Sequence, residues 1–140
     1  MEIKERVLAL DVGDKRIGIA VSDPFFLFAT GLKVITREND KKALEEIKEI
    51  CQTYKVKKIV VGLPYNMDGS IGAQAQKTVK FTEHLKDDYE LIYRDERLTS
   101  FEAEELLKKE NKKYTKNKGL VDIKAACIIL QTYIGEQNGQ

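Results

Sequence analysis

The chain has 140 residues, 42% of them hydrophobic and 34% charged, with a net charge of +1. That length suits one domain spanning residues 1–140, whose core can withdraw roughly two thirds of the unfolded surface from water without disulfides or structural metals. No basic segment leads into an apolar stretch near Met1, and no apolar run approaches the ~18 residues of a membrane span, so a cytoplasmic protein without signal peptide or membrane anchor is expected.

In chain order, Val7 to Val12 is an almost unbroken apolar run interrupted by Asp11, which predicts a strand buried on both faces. Gly13-Asp14-Lys15 turns the chain into a second strand, Arg16 to Ser22, closed by Asp23-Pro24. A third strand is expected from about Leu32 to Thr36, and the short connections make these three an antiparallel meander. Asn39-Asp40 cap a helix whose apolar positions are Ala43, Leu44, Ile47, Ile50, Cys51 and Tyr54. Lys58-Ile-Val-Val-Gly-Leu63 is a buried strand stopped by Pro64, and Tyr65 to Gly72 a loop. A helix from about Ala73 to Lys86 presents Ala75, Val79, Thr82 and Leu85 on one face. Glu90 to Asp95 is the last strand; Thr99 and Glu102 form a capping box for a short helix through Leu107, and a final helix runs from about Leu120 to Ile134. The order β-β-β-α-β-α-β-α-α predicts an α/β fold, a mixed five-stranded sheet covered by helices on both faces.

Four features need more than a packing reason: three acidic positions, and the glycine-rich hairpin Asp11-Val-Gly13-Asp-Lys-Arg16-Ile-Gly18, which can bring backbone N–H groups and Arg16 up to a phosphate. Asp11 places a charge at the end of a strand that is otherwise buried, where an unpaired carboxylate is costly. Asp95-Glu96-Arg97 closes the last strand, and sites in open α/β sheets gather at the carboxyl ends of strands. Asp122 begins the stripe Asp122, Ala125, Ala126, Ile129, Tyr133 of the last helix, and the two alanines let that helix approach the sheet closely. Each taken singly has an ordinary explanation: a turn former, a salt-bridged strand end, a first-turn acid. Together, three carboxylates suit Mg²⁺ or Mn²⁺, and two such ions can activate a water and stabilise a leaving oxygen in phosphodiester hydrolysis. The rival chemistries lack parts. His84 is the sole histidine and stands among polar neighbours, and Cys51 and Cys127 lie apart within helices as core thiols. The block Lys108, Lys109, Lys112, Lys113, Lys116, Lys118 is opposed only by Glu110 and reads either as a solvated loop or as a phosphate contact.

Four ordered motifs add a resemblance. They are Asp11-Val-Gly13-Asp-Lys-Arg16-Ile-Gly18 through Asp23, Gly62-Leu-Pro64-Tyr-Asn66-Met-Asp68-Gly69, Asp95-Glu96-Arg97-Leu-Thr99-Ser100, and Lys118-Gly119 with Asp122-Ile-Lys-Ala125-Ala126. Across about Val7 to Ile134 the chain resembles the YqgF/RuvX family of pre-16S rRNA nucleases, also described as Holliday junction resolvase-like proteins. The resemblance implies an RNase H-like fold and makes Asp11, Glu96 and Asp122 the catalytic, metal-binding carboxylates. Ser100 stands where related sequences often carry Thr. Strand alternation sends Asp95 and Glu96 to opposite faces without choosing between them, and the resemblance favours Glu96. Arg16 and Arg97 then hold the scissile phosphate or its neighbours, or pair with nearby acids. Asn66 in the loop after the central strand, and Lys116 and Lys118 before the last helix, are the further substrate contacts expected.

The resemblance points to 5′-end maturation of precursor 16S rRNA, with resolution of branched DNA as the alternative substrate. Symmetric junction cutting would call for a homodimer, a state the sequence leaves open. A non-catalytic module assisting ribosome maturation or transcription is the rival from outside enzymology, and the intact triad opposes it. An actin- or hexokinase-like phosphotransferase would need a second lobe.

Overall fold

Alternation along β1 (Val7–Val12) sorts the molecule into layers. The computed structural model describes residues 2–97, 99–110 (Ser100 by its backbone alone) and 117–139. β1 pairs antiparallel with β2 (Arg16–Ser22), which pairs antiparallel with β3 (Ala29–Thr36). On its other side β1 runs parallel to β4 (Lys58–Leu63), and β4 parallel to β5 (Glu90–Asp95). The five-stranded sheet therefore has the order β3-β2-β1-β4-β5, mixed as the element pattern predicts. Leu8, Leu10 and Val12 point to one face with Ile17, Ile19, Ile59 and Val61; Val7, Ala9, Ala20 and Val60 point to the other.

The first face is covered by α1 (Asp40–Tyr54) through Ala43, Ile47 and Cys51, and by α2 (Ala73–Thr82) through Phe81, followed by a 3₁₀ turn at Glu83–Leu85. The Asn39 side chain accepts from the Lys42 N–H at 3.1 Å, the cap expected from sequence. The second face is covered by α4 (Lys118–Gln137), with Ala126, Ile129, Leu130, Tyr133 and Ile134 turned to the sheet. α3 (Thr99–Glu110) packs on α4 through Ala103 and Leu107 against Val121 and Ala125.

Several boundaries differ from the sequence expectation for local reasons. β3 begins at Ala29 rather than Leu32. Its register with β2 slips between Ile19 and Ala20, Leu32 standing opposite neither, and the bulge breaks the alternation that would mark the strand's first half. α2 buries Thr78 and Phe81, whereas Val79 stays partly exposed. A threonine can face inward there because its hydroxyl bonds back to the helix: Thr78 Oγ1 donates to Gln74 O at 3.2 Å and Thr82 Oγ1 to Thr78 O at 2.9 Å. α3 starts at Thr99 itself, so Thr99 is the first helical residue rather than the cap. α4 starts two residues before Leu120, because Asn117 supplies the cap and its Oδ1 accepts from Leu120 N–H at 3.2 Å.

The placement of α4 depends on missing side chains. A Cβ on Gly18 would run into the Asp122 backbone carbonyl, and one on Gly31 into the Ile123 side chain. With Ala125 and Ala126 wholly buried, these glycines let the start of α4 lie directly on β2 and β3.

Candidate active site

The carboxyl ends of the parallel strands β1, β4 and β5 lie at one end of the sheet, where backbone bonding stops and side chains of several strands meet. Asp11 shares the face of Val7 and Ala9 and so points toward α4, not toward α1 and α2. Gly18 stands opposite it on β2. On β4, Gly62 leaves the space into which Glu96 reaches: a Cβ there would stand 2.8 Å from Glu96 Oε2 and 2.6 Å from Ile129 Cδ1. Glycines on both neighbouring strands thus open the hollow in which Asp11 meets acids from elsewhere in the chain.

Glu96 follows the last residue of β5 and is held by its backbone. Its N–H donates to Leu63 O at 3.0 Å, and its carbonyl accepts from Thr99 N–H at 3.0 Å. This turn sends the Glu96 side chain inward, 9% exposed, while Asp95 remains outside and pairs with Arg97 at 2.7 Å. Geometry therefore separates the two acids that alternation could not rank.

Asp11 and Glu96 stand close enough for each carboxyl to raise or lower the other, and two carboxyl groups so placed can hydrogen-bond only by sharing a proton. Burial, then the Asp11 charge and its hydrogen bond, push Glu96 up to about 10. Burial also raises Asp11, to about 6, against the lowering effect of the bond from Glu96, and the Asp122 charge raises it further. Both carboxyls are raised, Glu96 more than Asp11, so the pair retains a proton at neutral pH. Among the described residues neither carboxyl is in an ion pair.

Asp122, in the second turn of α4, is near enough for its charge to act on both, but Arg16 holds it: Arg16 Nε donates to Asp122 Oδ2 at 2.7 Å. As the side chains lie, no three acids, histidines or cysteines among the described residues converge on one ion position. The donor set is nevertheless what a hard divalent cation takes, all carboxylate oxygen. The buried Asp11–Glu96 pair, with no ion-pair partner among the described residues, is the observation that such an ion fits.

The other residues singled out from sequence divide. Arg16 and Lys118 line a groove of about 320 Å³ with Gly13, Asp14, Lys15 and Asp122. Arg97 is bound by Asp95 and donates from Nη1 to Met67 O at 3.2 Å, so it clamps the loop after β4. Asn66 is exposed and serves the same loop, its Nδ2 donating to Ser70 Oγ at 3.0 Å, while Asp68 accepts from the Ser70 N–H and hydroxyl. Lys116 lies outside the described residues, as do Lys112 and Lys113. Of the rest of that block, Lys108 pairs with Glu105, and Glu110 is taken by Lys124 of α4 at 2.8 Å.

His84 is exposed on the 3₁₀ turn. Burial raises the Cys51 thiol to about 12 and raises Cys127 as well, which leaves both poor nucleophiles. Sequence reasoning missed the roles of Gly18 and Gly62 as the spaces beside Asp11, and missed Lys15. A glycine inside a strand pattern is the signal that marks close approach of another element.

A family model described as RuvX, Holliday junction resolvase, matches residues 5–136. A protein of Thermoanaerobacter pseudethanolicus named "Putative pre-16S rRNA nuclease" is 45% identical over 138 residues, covering 96% of this chain and 99% of that one. One of Trichormus variabilis with the same name is 46% identical over 129 residues, 91% of this chain and 85% of that one. Among solved structures, RuvC of Thermus thermophilus in complex with a Holliday junction substrate superposes with a TM-score of 0.56 at 14% identity, covering 97% of each chain. That likeness establishes the RNase H-like fold expected from sequence. Among the described residues no helix is long and apolar enough to cross a membrane.

Proposed function

Because the chain belongs to the RuvX family, we propose that it is a divalent-metal-dependent endonuclease, cutting phosphodiester bonds in the 5′-end maturation of precursor 16S rRNA. The single observation that carries the chemistry is the buried Asp11–Glu96 pair at the carboxyl ends of the parallel strands, with Asp122 alongside and, among the described residues, no cation paired with it. The name shared by the relatives supports the RNA substrate.

In this reading Asp11, Glu96 and Asp122 would hold Mg²⁺ or Mn²⁺, two ions in all, each residue offering carboxylate oxygen. Bound there, the ions supply an activated water and stabilise charge on the leaving oxygen. The chain's own part is to place the phosphate. Arg16 and Lys118 face the groove beside Asp122 and grip the backbone next to the scissile bond, Arg16 through its planar fork. Arg97 and Asn66 act at one remove, by fixing the shape of the loop after β4 that borders the site. With precursor rRNA as substrate, the activity we propose is a cytoplasmic one.

The family's description favours a second reading, cleavage of branched DNA, for which a homodimer would be the working form. One experiment separates the two. The protein is incubated with a 5′-extended precursor 16S rRNA fragment and with a four-way DNA junction, each with Mg²⁺, Mn²⁺ or EDTA, beside Asp11→Asn. Metal-dependent cutting of the RNA alone, lost in the variant, is the expected result. Cutting of the junction alone transfers the mechanism to DNA. A folded protein that cuts neither refutes the proposal.

A further inference from the structure

Asp122 is the one acid of the three that already has a cation, and that cation also faces the groove where a phosphate would enter. Arg16 Nε reaches Asp122 Oδ2 at 2.7 Å across 106 residues of sequence, the two side chains being 33% and 19% exposed. The groove beside them, about 320 Å³, is lined by Gly13, Asp14, Lys15, Arg16, Lys118 and Asp122. Its three cations face two acids. One acid, Asp122, is matched by Arg16, and the other, Asp14, accepts from Gln74 Nε2 at 3.3 Å. Among the described residues neither Lys15 nor Lys118 is ion-paired.

We propose that this groove is a phosphate subsite and that the Arg16–Asp122 ion pair is a latch, making binding of a nucleic-acid phosphate and of a divalent ion mutually dependent. The inference rests on the reading of Asp122 as a metal ligand given above. A phosphodiester entering between Lys15 and Lys118 offers Arg16 two oxygens for its planar fork, where Asp122 takes only its Nε. Once Arg16 turns to the phosphate, Asp122 is left without a cation beside Asp11 and Glu96, an arrangement that a divalent ion relieves. An ion that takes Asp122 first releases Arg16 to the groove. Both ligands favour the same arrangement, so each tightens the other by one shared factor, on the order of 10-fold.

The test measures binding, not turnover. Ca²⁺ serves as the hard divalent probe, titrated calorimetrically with and without a 12-nucleotide RNA from the precursor sequence, and a gel checks that the RNA stays intact. RNA affinity is read by fluorescence anisotropy with Ca²⁺ and with EDTA. In the wild-type protein RNA tightens Ca²⁺ about 10-fold, and Ca²⁺ tightens RNA by the same factor. Arg16→Met binds Ca²⁺ more tightly than wild type when RNA is absent, and RNA then tightens Ca²⁺ by less than the wild-type factor, what remains being the direct attraction of ion and phosphate. Arg16→Lys keeps a charge on β2 as insurance against misfolding, and its coupling falls below the wild-type factor. Lys15→Gln and Lys118→Gln each weaken RNA binding and reduce the salt slope by about 1, while Ca²⁺ affinity without RNA is unchanged. If Arg16→Met binds Ca²⁺ no more tightly than wild type, or keeps the full coupling, the latch is refuted while the nuclease reading stands. If the wild-type protein binds no Ca²⁺ with or without RNA, the metal reading of the triad fails and the latch falls with it.

Discussion

Replacing Glu96 by glutamine is expected to stabilise the ion-free protein by about 3 kcal/mol at pH 7, with a dependence on pH that identifies the cause. Glu96 is buried against Asp11 with no cation partner among the described residues, and its carboxyl is raised from an ordinary value of 4.5 to about 10. The folded protein at pH 7 must therefore bind a proton that the unfolded chain has released. Each pH unit above 4.5 makes that uptake about 1.4 kcal/mol more costly, so the penalty at pH 7 is ~3 kcal/mol, whatever the folded value so long as it stays well above 7. The sign follows from proton counts. A raised folded value means that the stability present below pH 4.5 is lost as pH rises toward 10. Glutamine keeps the shape and the donor to Asp11 and has no proton to bind. Urea denaturation in EDTA from pH 5 to pH 8 should show the variant's advantage growing by about 1.4 kcal/mol per pH unit. Adding Mg²⁺ or Mn²⁺ should stabilise the wild-type protein and do little for the variant. An advantage that stays constant with pH would refute the assignment of the proton to Glu96. Equal stabilisation of both proteins by the ion would remove Glu96 from the metal site.

Three further outcomes follow from the same geometry. Gly18→Ala puts a Cβ into the Asp122 backbone carbonyl, so α4 must lift from β2; a loss of about 1–3 kcal/mol in a thermal melt is expected, with cleavage reduced far beyond what that loss explains. Asp23→Ala removes the acceptor of the Phe25, Leu27 and Phe28 N–H groups, at 3.1, 2.6 and 2.7 Å, which hold the turn where Phe26 sits at φ 57° against Tyr133; a loss of about 1–3 kcal/mol is expected. Because those bonds hold the Asp23 carboxyl below its ordinary 3.8, the wild-type advantage is present above that value and fades as pH falls through the lowered one, a trend absent if the carboxylate is not the cap. His84→Gln should change stability by less than about 0.5 kcal/mol and leave cleavage intact, since the side chain is exposed; a large loss of rate would implicate a histidine base after all.

Secondary structure was legible wherever one signal dominated. Continuous apolar runs marked β1 and β4, and Asn39 marked the start of α1, because burial on two faces and a capped helix end each leave a local signature. Legibility failed where a distant contact set the outcome. The first half of β3 is hidden by a bulge fixed by pairing with β2, and Val79, expected on the inner face of α2, stays partly exposed while Thr78 is buried with its hydroxyl bonded back to Gln74 O.

For the site, composition and spacing named Asp11, Asp122 and the Asp95-Glu96 pair, since an acid at the end of an apolar run is anomalous in the sequence itself. Which acid turns inward was settled by backbone bonds from Glu96 to Leu63 and Thr99, and these depend on β4 and β5 lying side by side. That Asp122 meets Arg16 rather than Asp11 and Glu96, and that Gly18 and Gly62 exist to admit what lies across them, is decided by the approach of α4 to the sheet. A sequence records which groups a chain carries. Distances between groups 26 to 111 residues apart are set by packing, and the energy of a charge depends on those distances and on how much water they exclude.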